Sequence, residues 1–332
     1  MDSPPATRRA QPADTSAGRY HREKTQMKTN VTFDSAGLAL AGHLYTPDGR
    51  HPGPRPAIVV GHPGSGVKEQ AAGLYAERLS RAGYVTLAFD AAYQGQSEGE
   101  PRGLEDPSHR VEDFKAAVSF LSTQTAVDSD RIGALGICAS GGYVIAAAAT
   151  DHRIRAVATV SAADMGRQFR EGADGTQDRS VIQGLLDAAA AARTAEAHGE
   201  GVGTFPIFPA TEEQARAGGQ HLFEGWEYYC TDRARHERSA KSFTLNSVDR
   251  IASFDAFQFV GMIAPRPLLM IVGTEAVTSW MTTHAIEHAG EPKEQYWVEG
   301  ASHVALYDKD EFVSPAIAKL AGFFRANLSD AV

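Results

Sequence analysis

The chain has 332 residues, 42% of them hydrophobic and 22% charged, with a formal net charge of −9. This is the balance of a globular protein with enough apolar material for one large domain, or for a core with an appended subdomain. It excludes a nucleic-acid binder built on a clustered basic face. Two cysteines, Cys138 and Cys230, make no disulfide framework, and no stretch approaches the roughly 20 apolar residues of a membrane span. A reducing, cytoplasmic location is the expectation.

Residues 1–28 are rich in Pro, Ser, Ala and charge and lack an apolar signal core, so they are expected to form a disordered tail. Strands are predicted at 31–33 and 38–45, paired around the turn 35–37. The apolar, β-branched run 57–60 reads as a buried strand that ends in the loop Gly61-His62-Pro63-Gly64. A helix over 69–83 follows, stopped by glycine. The alternation continues with a strand at 84–89, a helix at 111–121, a strand at 132–135, a very apolar helix at 140–149 and a strand at 156–160. After a gap it resumes with a strand at 267–272, a helix at 282–289, a strand at 295–298 and a closing helix at 316–328. Apolar strands alternating with helices predict an α/β fold whose central sheet is mainly parallel, with helices on both faces. Residues 165–255 break the rhythm with an Ala-rich helical stretch, a Gly/Pro-rich stretch and an aromatic, basic stretch. A structureless loop of that length is out of place in a compact domain, so the segment is read as a helical cap inserted between two parts of a core, 29–164 and 256–332.

The most informative segment is Asp130-Arg131-Ile132-Gly133-Ala134-Leu135-Gly136-Ile137-Cys138-Ala139-Ser140-Gly141-Gly142. A strand passes through a sharp turn into a helix, with small residues two before and two after Cys138. A nucleophile elbow needs this spacing, because the tight turn leaves room only for small neighbours and lifts one side chain above the sheet edge. The amides at the start of the next helix would favour a thiolate and a developing oxyanion. The same segment can be read with Ser140 as the nucleophile, but the strand length places the elbow on Cys138.

These residues resemble the elbow of the α/β-hydrolase superfamily, in its cysteine form as in dienelactone-hydrolase-like enzymes, and the resemblance extends over roughly residues 30–328. It implies the α/β-hydrolase fold with Cys138 as nucleophile. It further implies that the catalytic histidine is His303, in the loop Glu299-Gly300-Ala301-Ser302-His303-Val304 between the last strand and the last helix. His303 would take the thiol proton and then protonate the leaving group. Oxyanion donors would be the backbone N–H of Ala139 and one from the loop after the third strand. Pro63 has no N–H, so Gly64 or Ser65 must supply the latter. The orienting acid is expected after the strand 267–272, yet the positions where related sequences put Asp hold Ala276 and Val277. Glu275 is the first candidate, Asp164 the second, and a Cys–His dyad with no acid the third, since a thiol needs less activation than a hydroxyl.

Trp226-Glu227-Tyr228-Tyr229 would serve as cap core or as pocket wall, and the basic residues Arg233, Arg235, Arg238 and Lys241 as a solvated face or a site for an anionic substrate. No zinc-type spacing and no dinucleotide or P-loop fingerprint is present, so neither metal nor cofactor is expected. The expected partner is a small-molecule acyl substrate. Neither nucleic acid nor membrane is expected, and a homodimer is left open. The chemistry expected is hydrolysis of an ester, thioester or lactone through a Cys138 acyl-enzyme. Acyl transfer, cyclisation or peptide cleavage at the same site, or a non-catalytic binding protein on the same scaffold, are the alternatives.

Overall fold

The computed structural model describes residues 27–47 and 53–329. The predicted tail lies outside the described residues except for its last two, which open the first strand. The strands in chain order are β1 (Met27–Ser35), β2 (Leu38–Thr46), β3 (Arg55–Gly61), β4 (Val85–Phe89), β5 (Val127–Ile137), β6 (Ile154–Val160), β7 (Thr204–Pro206), β8 (Ser242–Thr244), β9 (Leu268–Gly273) and β10 (Lys293–Val298). Eight form one sheet in the order β1-β2-β4-β3-β5-β6-β9-β10. β1 and β2 form the predicted hairpin, closing at the pair Ser35 and Leu38, and β2 meets β4 antiparallel; every pairing from β4 to β10 is parallel. The mainly parallel sheet is therefore observed.

Side chains alternate across this sheet, as a pleated strand buried on both faces requires. On β3, Ala57 and Val59 join one cluster and Ile58 and Val60 the other. The first cluster packs under α2 (Pro107–Ser122), α3 (Ala139–Thr150) and Met281 and Ala285 of the helix Ser279–His288; the second packs under α1 (Ala71–Arg81) and the C-terminal helix Asp310–Asn327. That last helix begins six residues before its predicted start, because Pro315 lies inside it. Proline lacks an N–H, and the sequence pattern was readable only beyond it.

Between β6 and β9 the chain leaves the sheet. Five α-helices fill the interval, with two short 3-10 turns: α4 (Met165–Glu171), α5 (Arg179–Ala197), α6 (Glu212–Ala217), α7 (Gln220–Cys230) and α8 (Val248–Ala252). The Gly/Pro-rich stretch also contributes β7, which pairs antiparallel with β8. This insertion lies over the C-terminal ends of the parallel strands, where open α/β sheets place their ligands. In chain order the remaining helices are α9 (Ser279–His288), α10 (Ala305–Asp308) and α11 (Asp310–Asn327). No helix among the described residues is long and apolar enough to cross a membrane.

Candidate active site

The elbow is built by steric necessity. Cys138 sits between β5 and α3 with φ 56° and ψ −120°, a left-handed conformation that costs a non-glycine residue roughly 1–3 kcal/mol. Its backbone holds that shape through three bonds: Cys138 N–H donates to the Val160 carbonyl at 3.0 Å, and the Cys138 carbonyl accepts from Gly141 at 2.8 Å and Ala163 at 2.9 Å. A Cβ on Gly136 would lie 2.0 Å from the Ser140 carbonyl oxygen, and one on Gly141 would lie 2.7 Å from the Ala162 Cα. Ser140, the alternative nucleophile, is buried and otherwise employed. Its hydroxyl donates to the His62 carbonyl at 2.6 Å and accepts from Arg110 Nη2 at 3.2 Å. It latches the loop after β3 to α3, and Cys138 is the residue that lines the pocket.

Two amides converge on the Cys138 sulfur, those of Gly64 and Ala139. Of the two residues considered in the loop after β3, the glycine donates. The Ser65 carbonyl accepts from the Ala240 amide at 3.1 Å, and its hydroxyl lies beside Tyr229.

The histidine side departs from expectation. His303 is buried, and its Nδ1 lies 2.5 Å from Thr278 Oγ1, while its Nε2 lies 3.0 Å from the Tyr307 hydroxyl. The same hydroxyl faces the Cys138 sulfur and draws its pKa down. A phenol thus stands between thiol and imidazole. When Thr278 accepts from Nδ1–H, Nε2 is left as an acceptor for the Tyr307 hydroxyl, whose oxygen can accept from the thiol. Burial holds the His303 pKa well below its usual 6.5, helped by His221, whose ring meets it edge-on at 5.0 Å. Burial also raises the Cys138 thiol above its usual 9.0, against the opposing pull of Tyr307, Gly64 and Ala139. Both shifts favour the uncharged forms, thiol and imidazole, over an ion pair.

Neither candidate acid reaches the imidazole. Glu275 is exposed, and only its backbone is engaged, donating to the Ala301 carbonyl at 3.0 Å. The turn after β9 carries its side chain outward and presents Thr278 to Nδ1. Asp164 is buried, accepts from the amides of Arg167 at 3.1 Å and Ala256 at 3.0 Å, and is pushed up to about 6 chiefly by burial. It caps α4 and fixes that helix against the chain at Ala256. The third option, a Cys–His dyad, agrees in that no carboxylate reaches the imidazole, but His303 Nε2 meets the Tyr307 hydroxyl and not the sulfur. Tyr307 was not foreseen, although its position four residues after His303 is one helical turn.

The pocket above the sulfur has a volume of about 170 Å³. The insertion supplies most of its wall: Met165, Gln168, Ile207, Phe208, His221, Leu222, Gly225, Tyr229 and Phe243. Of the aromatic run in α7, Tyr229 lines the pocket and stacks on Phe208 at 5.0 Å, whereas Tyr228 is core and accepts from the Ala71 amide at 3.1 Å. A family model described as X-Pro dipeptidyl-peptidase (S15 family) matches residues 36–244. The chain is an α/β-hydrolase of the S15 family. The hydrolase is 40% identical to the uncharacterized protein YcjY of Escherichia coli K12, over 82% of this chain and 89% of that one. It superposes on the crystal structure of hypothetical protein PA2218 from Pseudomonas aeruginosa with a TM-score of 0.85 and 34% identity, covering 91% and 94% of the two chains. The α/β hydrolase GrgF from Penicillium, at 22% identity, shares the fold with a TM-score of 0.76 over 91% and 99%.

One other group of potential ligands stands apart from this pocket. His284, Glu287 and His288 on α9 bring their ligand atoms within 4.8 Å of one another, in a partly exposed setting. These residues lie on the helix predicted at 282–289, but their i, i+3, i+4 spacing is not one of the zinc-type patterns sought in the sequence.

Proposed function

We propose that this hydrolase cleaves an ester, thioester or lactone through an acyl-enzyme on Cys138. The observation that carries the reading is the convergence on one sulfur of two backbone amides and a hydroxyl that leads to an imidazole. As the sulfur attacks the carbonyl carbon, its proton passes to the Tyr307 oxygen, and the Tyr307 proton passes to His303 Nε2. The carbonyl oxygen becomes an oxyanion between the Gly64 and Ala139 amides, each donor of this kind contributing roughly 3 kcal/mol. Collapse expels the alkoxide or thiolate, which takes a proton back along the same path. Water then attacks the thioester, delivers its proton to His303, and the free acid leaves with the thiol restored. A neutral imidazole suits this role, since it begins as a base.

A thiol nucleophile also suits a reducing compartment, and we place the protein in the cytoplasm on that ground. The test is intact-mass analysis after brief exposure to activated esters and acyl thioesters. Wild type is expected to gain the acyl mass on Cys138, and Cys138→Ala none. Turnover by Cys138→Ala at the wild-type rate would overturn the assignment.

A further inference from the structure

We infer that the acyl group this site accepts is uncharged and that its enclosed part is about as large as a benzoyl or hexanoyl group; this rests on the acyl-enzyme reading above. The decisive feature is the chemistry of the wall. Among its residues there is no Lys, Arg, Asp or Glu. Its two imidazoles, His221 and His303, are both held neutral by burial. The remaining surface is largely thioether, aliphatic and aromatic, from Met165, Ile207, Phe208, Leu222 and Phe243. A carboxylate or an ammonium entering such a space gives up hydration and finds no counter-charge, which is strongly unfavourable.

The nearby cations offer no remedy, because each is already engaged. Arg233 pairs with Asp308 and Glu227, and Arg238 with Glu69 and Glu237. Arg235 pairs with Asp232, and Lys241 Nζ donates to the Tyr229 carbonyl at 2.6 Å and to Ser239 at 2.7 Å. Arg110 is buried behind the elbow on His62 and Ser140. Of the basic stretch noted in the sequence, Arg233, Arg235 and Arg238 are paired with carboxylates and Lys241 with neutral acceptors, and none of the four lines this pocket. The same absence of charge bears on the peptidase description of the family. A dipeptidyl-peptidase acts on a chain whose free ammonium lies two residues from the scissile bond, and nothing on this wall answers that ammonium. Size follows from volume: a cavity near 150 Å³ holds benzene, so about 170 Å³ encloses roughly six to eight heavy atoms.

The experiment compares two N-acetylcysteamine thioesters of the same shape, 5-methylhexanoyl and glutaryl, the second ending in a carboxylate. The expected kcat/KM ratio favours the neutral substrate by at least about 100-fold, and Ala-Pro-p-nitroanilide is not cleaved. Leu222→Arg places a cation on the wall and is expected to lower that ratio below ten. In parallel, binding of 5-methylhexanamide and of glutarate monoamide to Cys138→Ala is read by thermal shift, with stabilisation expected from the neutral amide alone. Equal rates or equal shifts for the two partners, or a ratio unmoved by Leu222→Arg, would overturn the inference. A thermal shift from the neutral amide with no acyl adduct on wild type would instead overturn the acyl-enzyme reading and leave the neutral pocket standing.

Discussion

The two halves of the site are held in place by different forces. On the side of Cys138, the proposed nucleophile, the backbone decides: Gly136 and Gly141 admit no Cβ, Cys138 sits at positive φ, and the amides of Gly64 and Ala139 follow from chain path. On the histidine side, position is settled by side chains that choose their partners. Thr278 holds Nδ1 where a carboxylate was expected, and Tyr307 stands on Nε2. Backbone geometry tolerates few residue types at each place, whereas a hydrogen bond to an imidazole can be made by several kinds of side chain from several positions. The first kind of constraint leaves a spelling in the sequence; the second does not.

This contrast is broken most directly at the nucleophile. Cys138→Ala is expected to abolish acyl-enzyme formation and to lower kcat by about 10⁴-fold or more, read by initial rates and intact mass. Gly136→Ala tests the steric half. Its methyl would meet the Ser140 carbonyl at 2.0 Å, so a loss of about 3–5 kcal/mol in unfolding free energy is expected in denaturant titration. A near-neutral result would show that the turn is less constrained than its contacts require.

The histidine half is sharpened by smaller changes. Tyr307→Phe removes the bridging hydroxyl and Thr278→Val the Nδ1 partner; each is expected to reduce kcat/KM by about 10–100-fold, the scale of one buried hydrogen bond. The pH profile separates this arrangement from a thiolate–imidazolium pair. A base works only when unprotonated, and the His303 pKa lies well below 6.5, so kcat/KM is expected to hold level from pH 7 to pH 6 and to fall only at more acid pH. Thr278→Asp supplies a counter-charge to the imidazolium, raises the histidine pKa and should carry that acid limb upward. Glu275→Gln is the smallest change: with its carboxylate in solvent, less than a two-fold effect on kcat/KM is expected. A large loss in that variant would restore Glu275 as the acid.

Much of the fold was legible for the same reason as the elbow. Buried parallel strands must be apolar throughout, as at Ala57–Gly61 within β3, and tight turns must carry glycine, so element type could be read in order along the core. The insertion was legible only as an interruption. Its short strands, Thr204–Pro206 and Ser242–Thr244, pair across 35 intervening residues and carry no alternation long enough to announce themselves. The division of α7 into Tyr228 as core and Tyr229 as wall depends on which face meets the sheet, a fact of packing that adjacent tyrosines do not encode.

One ion pair ties roof to machinery. Arg233, from the insertion, grips Asp308 on both carboxylate oxygens and reaches the Val304 carbonyl at 3.4 Å, and Asp308 neighbours Tyr307 on the single turn of α10. The insertion is therefore tied to the turn that bears Tyr307, and one contact fixes the pocket wall and the hydroxyl on His303 Nε2 together.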